Sequence, residues 1–348
     1  MEEALTFNDV LMEPRYSEIT SRSLVSTKVK LKKPGFAVEL QHPMIVANMK
    51  TLMSEEMADA IFASGGLGLM HRFTSIEEQI AVPIALEQKH GKAIWNHIGM
   101  SIGIKSTDKE AVDHFVSKGT KVICIDIAHG DSAGCIEMCA WIHEKHPEVF
   151  LIAGNVATYE GTMRLFSAGA DAVKVGVGAG SLCSTRIETG CGVPSLHAIQ
   201  EGVEARDHYT NNLGYGEQRY IIADGGMKIV GDCCKALACG ADLLMCGNMF
   251  AGTDETPCPI QVIDGQSYKS YVGSSTHKTT HIEGVEAFVR AKGPMKDVLA
   301  KITDGIRSCC SYQGVDAIDK LRAVVKFVRI TDHGWAESGA HDLAKVIK

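Results

Sequence analysis

The sequence predicts an α/β fold, a single (β/α)8 barrel spanning residues 1–348 with a loop and helix extension at its C-terminal end. Three observations carry the prediction. Short, almost wholly apolar runs recur eight times. Helical patterns lie between them, and most of the runs end on Gly, Asn, Asp or His. Runs apolar on both faces suit parallel strands covered by helices. An open doubly wound sheet repeats the same unit, but the even spacing and the polar strand ends favour closure.

The eight predicted strands are Pro43–Met49, Leu67–His71, Ile98–Ile104, Val122–His129, Val149–Asn155, Ala172–Val177, Tyr220–Asp224 and Leu243–Gly247. Most begin about 23–31 residues after the last, the size of one βα unit. Between them, Ser54–Ala63, Asp108–Lys118, Gly134–Glu144, Tyr159–Ala168 and Val230–Ala238 carry helical spacing. Ser167-Ala168-Gly169-Ala170 and Ala238-Cys239-Gly240-Ala241 read as helix C-caps. One interval is long, from Gly180 to Arg219, and holds a charged helix. Beyond the eighth strand come a hairpin turn at Asp264-Gly265, a polar loop over Ser274–Glu283 and a final helical region.

Barrel chemistry sits at the carboxyl ends of the strands. Those ends carry Asn48, His71, Arg72, Asp126, His129, Asn155, Asp224-Gly225-Gly226 and Gly247-Asn248. After the sixth strand runs Gly176-Val177-Gly178-Ala179-Gly180-Ser181-Leu182-Cys183-Ser184-Thr185-Arg186, one thiol behind a run of glycines and beside two hydroxyls and a guanidinium. Glycines allow tight turns and close amide approach to an anion. A thiol in such a setting is favoured as the nucleophilic thiolate. Cys183 is therefore the candidate nucleophile, and the alternative of one more buried structural cysteine is disfavoured by its polar surroundings.

Loops after the last two strands of a barrel often hold phosphate on backbone amides. Asp224-Gly225-Gly226 and Gly247-Asn248 are placed for this, with Asp224 an acceptor for ribose hydroxyls; ordinary βα turns are the plainer reading. His129, which ends the fourth strand with Asp126, is equally an acid or base or a satisfied polar loop residue. Ser21-Arg22 and Arg72 are candidates for holding a cofactor phosphate, against a default of solvated surface.

Composition narrows the classes. The chain has 348 residues, 45% hydrophobic and 22% charged, which is globular. A net charge of −7 provides no nucleic-acid footprint. No apolar run approaches a membrane span, and the acidic start Met1-Glu2-Glu3 lacks the positive charge of a secretory leader. Twelve cysteines, mostly inside apolar runs and with no Cys-x-x-Cys pair, predict buried thiols and a reducing, cytoplasmic setting.

The segment Gly178–Arg186, with Gly190-Cys191-Gly192-Val193-Pro194, resembles the signature of the IMP dehydrogenase/GMP reductase family. The resemblance extends through Leu5–Leu11, Ala47-Asn48-Met49, Asp126–Gly130, Ala153–Val156, Ala223–Gly226 and Gly305–Ser308 to Tyr312. It implies a (β/α)8 barrel assembled as a homotetramer, with the cysteine attacking C2 of a purine nucleotide and a nicotinamide exchanging hydride.

Within the family, the dehydrogenase branch hydrolyses its adduct with a long mobile flap carrying an Arg-Tyr pair. Here only Ser275–Ile282 separates the region after the eighth strand from Glu283, with no such pair, and Gln79–Lys92 passes to the third strand without a CBS insertion. Met70-His71-Arg72-Phe73 and Arg307–Tyr312 also look closer to the reductase branch. That branch implies NADPH-dependent reductive deamination of GMP to IMP and ammonia.

By the same resemblance, Cys183, Thr185 and Glu283 are catalytic, the last two relaying a proton. Ser181, Asp224, Gly225, Gly226, Gly247, Asn248, Gly273, Ser274, Ser275 and Gly284 bind the nucleotide. Ser21, Arg22, Arg72, Asp126, Ile127, Ala128, Val177, Gly178, Ser308, Cys309, Cys310 and Ser311 bind NADPH, some from a neighbouring subunit. Gly178, Gly180, Cys183 and Arg186 resemble the potassium site. Lys50, Asn248, Ser274 and Thr280 depart from the family pattern around the purine. Two other readings compete: a CBS-lacking dehydrogenase making XMP from IMP with NAD, and a catalytically silent nucleotide-binding barrel.

Overall fold

The computed structural model describes residues 3–212, 217–273 and 286–339. Eight parallel strands close into a barrel: β1 (Met44–Val46), β2 (Leu67–Met70), β3 (Ile98–Ile102), β4 (Val122–Asp126), β5 (Phe150–Val156), β6 (Ala172–Val175), β7 (Tyr220–Asp224) and β8 (Leu243–Cys246). Closure is made by β1, whose Ile45 pairs with Leu67 of β2 on one side and Met245 of β8 on the other. All eight predicted strands are present, generally shorter than expected. The Asn48, His71 and His129 ends belong to the loops that leave the barrel.

The strands are buried because helices cover their outer faces. Five of those helices, Glu55–Ala63, Ser106–Lys118, Ala133–Lys145, Tyr159–Ser167 and Val230–Cys239, lie where their spacing placed them. Their buried stripes, for example Ala111, Val112 and Phe115, or Leu165 and Phe166, pack on the barrel. Ser54 and Thr158 cap helix starts through their hydroxyls, satisfying otherwise orphaned amides. Gly169 and Gly240 follow helix ends in the left-handed region, as the C-cap reading requires.

Three features were not read from the sequence. A helix over Ile76–His90 covers the passage to β3, opening on a Ser75–Glu78 capping box. A hairpin, Val29–Lys33 with Phe36–Leu40, closes the amino end of the barrel. There Phe36 packs on Phe150, with ring centroids 5.0 Å apart, and Lys33 pairs with Asp171 at 2.8 Å. Val10–Met12 pairs with Phe327–Arg329, tying the two ends of the chain together.

Past β8, the strands Gln261–Ile263, Gln266–Val272 and Glu286–Arg290 form an antiparallel sheet. Its first turn is the expected Asp264-Gly265, both with positive φ. In its second pairing Val272 stands opposite Glu286; residues 274–285, between them in sequence, lie outside the described residues. The final helical region is Met295–Tyr312. No helix among the described residues is long and apolar enough to cross a membrane.

Candidate functional site

β6 delivers the cysteine loop to the carboxyl end of the barrel. Its turn passes so close to β7 that a Cβ on Gly176 would fall 2.0 Å from the Asp224 carbonyl oxygen. Only glycine fits there, and its φ of +148° suits glycine as well. Arg186 then lies between Gly178 and Gly192, either of whose Cβ atoms would stand 2.6 Å from Arg186 Cγ. Its guanidinium donates to the Val193 carbonyl. The two halves of the signature are thus clamped together by one arginine.

Cys183 is exposed at the tip of this loop. Its amide donates to the Gly180 carbonyl at 3.0 Å, and its sulfur lies 3.1 Å from the Thr185 hydroxyl. Most of the other cysteines are buried, and burial pushes the Cys124, Cys239 and Cys310 thiols up to about 12. The prediction of mostly inert core thiols therefore holds, with Cys191 the second exposed one.

A cavity of about 490 Å³ opens beside Cys183. Of the predicted residues it gathers Arg72, Asp126, Ile127, Ala128, Val177, Gly178, Gly180, Ser181, Cys183, Thr185, Asp224, Gly225 and Gly273. Gly226, Gly247 and Asn248 are not part of that lining. Gly225 packs against Gly180, which joins the β6 and β7 loops, and Lys292 donates to the Asn248 carbonyl at 2.5 Å. Arg72 donates through Nε to the Asp126 carbonyl at 2.9 Å and lies over the Phe73 ring. His129 is exposed outside the lining, which favours its loop reading over an acid–base role. His71 is buried, and burial, helped by the Lys50 charge, holds its pKa below the ordinary histidine value.

Ser21, Arg22, Ser308, Cys309, Cys310 and Ser311 do not line this cavity. The turn Arg22–Leu24 packs instead on the helix Met295–Tyr312, which carries Ser308, Cys309, Cys310 and Ser311. Cys310 faces the core, so its thiol is withdrawn from any ligand, whereas Ser308, Cys309 and Ser311 are half-buried. Glu283, Ser274, Ser275, Thr280 and Gly284 lie outside the described residues.

Two residues of the cavity wall escaped the sequence reading. Tyr271 is buried, with its hydroxyl against Gly247, where a Cβ would meet it at 2.2 Å, and 3.7 Å from Met49 Sδ. Burial pushes its phenol well above the ordinary tyrosine range. Lys174 sits in the middle of β6, yet its ammonium reaches Asp126 Oδ1 at 2.6 Å and Asp224 Oδ2 at 3.4 Å. The signal was present: a lysine inside the apolar run Ala172-Val173-Lys174-Val175 needs buried acidic partners.

The model of the IMP dehydrogenase/GMP reductase domain matches residues 4–341. The chain belongs to the IMP dehydrogenase/GMP reductase family. Members similar to it carry both names. Inosine-5'-monophosphate dehydrogenase of Borreliella burgdorferi is 33% identical over 99% of this chain and 98% of its own length. GMP reductase of Streptococcus agalactiae is 36% identical over 94% and 96%. Inosine-5'-monophosphate dehydrogenase of Chlorobaculum parvum is 40% identical over 78% of this chain, which spans only 57% of that relative. A solved structure of Trypanosoma brucei GMP reductase in complex with guanosine 5'-monophosphate matches with a TM-score of 0.87. It covers 99% of both chains at 27% identity. The family's chemistry is that of oxidoreductases using a nicotinamide cofactor, and the shared fold is the (β/α)8 barrel described above.

Proposed function

We propose that this family member is a reductase that converts GMP to IMP and ammonia with NADPH. The observation that carries the branch is the short length of sequence, 273–285, between the paired residues Val272 and Glu286. With Val272 opposite Glu286, it leaves little room for a hydrolytic flap, and its sequence contains no Arg-Tyr pair. The T. brucei reductase, matched over nearly its whole length, supports the same branch. The higher identity of some dehydrogenase-named relatives favours the second reading, IMP oxidation to XMP with NAD.

In the reductase reading, the nucleotide phosphate rests on Ser181, Gly226 and the Gly247-Asn248 turn, with the Tyr271 hydroxyl beside it. Asp224 accepts the ribose hydroxyls. The Cys183 sulfur adds to C2 of the guanine, and the 2-amino group departs as ammonia with a proton passed through Thr185 from Glu283. A bound nicotinamide supplies the hydride that C2 accepts. The carbon–sulfur bond then breaks, returning the thiolate and IMP. Covalent attack is needed because direct displacement of an amine by hydride is difficult, and closing off water protects the adduct.

The cofactor fits the half of the cavity bounded by Arg72, Asp126, Ile127 and Ala128. Ser21, Arg22, Ser308, Cys309 and Ser311 serve a neighbouring subunit's cofactor in the homotetramer. Exposed Tyr16, Leu24 and Tyr312 border that cluster, as an interface would require. For potassium the fit is incomplete. Gly178, Gly180 and Cys183 offer carbonyls from one turn, and that of Gly180 already accepts the Cys183 amide. No step of the proposed reaction runs through that ion. A cytoplasmic setting accords with the free, mostly buried thiols.

The test is product identification. GMP and NADPH should yield IMP and ammonia; XMP from IMP and NAD would move the chain to the other branch.

A further inference from the structure

Lys174 is 1% exposed, wholly enclosed in the barrel wall beneath the cavity. An ammonium in such a place is unfavourable unless acidic groups compensate it. Burial acts against its charge, and Asp126 and Asp224 overcome that, holding its pKa above the ordinary lysine range. It therefore stays a cation. Its third neighbour, Met245 Sδ at 4.0 Å, is a weak acceptor, which leaves the two carboxylates as the partners that hold it.

Those carboxylates come from different sides of the cavity. Asp126 ends β4 on the side proposed for the cofactor, and Asp224 ends β7 on the side proposed for the nucleotide ribose. Lys174 and Asn155 occupy Oδ2 of Asp224, and Lys174 occupies Oδ1 of Asp126. Among the described residues no hydrogen bond reaches the second oxygen of either, which leaves it available to a ligand. One ammonium thus sets the orientation and acceptor strength of both.

We infer that Lys174 is a positioning residue that couples the nucleotide and cofactor half-sites by sharing its charge between Asp126 and Asp224. The inference rests on the ligand placement proposed above. Neutralising either carboxylate moves the ammonium fully onto the other and pulls that one out of the orientation its ligand requires. A change on the cofactor side is therefore felt by the nucleotide, although the altered residue does not face it.

The experiment is calorimetric titration of GMP and of NADPH into the wild-type protein, Asp126→Asn and Asp224→Asn, with Lys174→Met and Lys174→Arg alongside. Asp126→Asn should weaken GMP binding about fivefold or more, as well as NADPH binding, and Asp224→Asn should weaken NADPH binding by a similar factor, as well as GMP binding. Lys174→Met should weaken both together, and Lys174→Arg should restore part of each. If each Asp variant alters only its own ligand, the coupling is refuted while the ligand placement stands. If the wild-type protein binds neither GMP nor NADPH, the functional reading fails and the inference with it. The Asp variants keep the test decisive if Lys174→Met does not fold.

Discussion

The Cys183 sulfur lies 3.1 Å from the Thr185 hydroxyl, two groups held on one exposed loop by the Arg186 clamp. In the proposed reaction this contact would pair the nucleophile with its proton carrier. Cys183→Ala should abolish turnover while leaving GMP affinity within a few-fold of wild type. Thr185→Val should lower kcat by about 10²–10⁴ with KM little changed, the loss expected of one proton-transfer group. Turnover and titration on both variants check this, and undiminished activity of Cys183→Ala would remove the covalent step.

Cys183 and Cys191 are more exposed than the other cysteines, and reactivity should follow exposure. Brief treatment with iodoacetamide, read by peptide mass spectrometry, should label Cys183 and Cys191 first. The Cys124, Cys239 and Cys310 thiols, held near 12 by burial, should stay unmodified until the protein is denatured. Saturating GMP should protect Cys183 far more than Cys191.

Tyr271 presses its hydroxyl against Gly247, the turn proposed for the nucleotide phosphate. Tyr271→Phe removes one hydrogen bond to a charged group, a loss of about 1.5–3 kcal/mol. The KM for GMP should therefore rise roughly ten- to a hundredfold at nearly constant kcat. An unchanged KM would place the phosphate elsewhere.

His42, just before β1, is kept neutral. The Met44 amide donates to its Nδ1, leaving Nε2 to bond Ser64, and burial lowers its pKa from 6.5 to about 4. Between those values the unfolded chain binds more protons, so stability falls as pH falls. The contribution is full above 6.5 and lost by about 4, roughly 3 kcal/mol at most. Thermal melts from about pH 7 to about pH 4.5 should show a falling Tm, with a shallower slope in His42→Gln; parallel slopes would contradict the assignment.

The barrel was legible because its strands are apolar on both faces, a pattern that parallel sheets impose at every position. The helix Ile76–His90 was not, because Pro83 and a charged C-terminal turn blur its stripe. Nor was the hairpin 29–40, whose Lys30, Lys32, Lys33 and Glu39 read as surface although Leu31, Phe36 and Leu40 are buried. At the site, motif residues adjacent in sequence, such as Cys183 and Thr185, could be read directly. Lys174 could not be assigned, since its meaning depends on Asp126 and Asp224, carboxylates brought to it from two other strands. Tyr271 likewise acquires its place only from contact with Gly247.

The central claim is that hydride and not water resolves the Cys183 adduct. Side-by-side initial rates on one preparation test it most directly, GMP with NADPH against IMP with NAD, with Cys183→Ala as the blank. The account predicts NADPH oxidation that depends on GMP and releases one ammonia per turnover, with no XMP from IMP. Steady formation of XMP from IMP and NAD, without GMP-dependent NADPH oxidation, would contradict it.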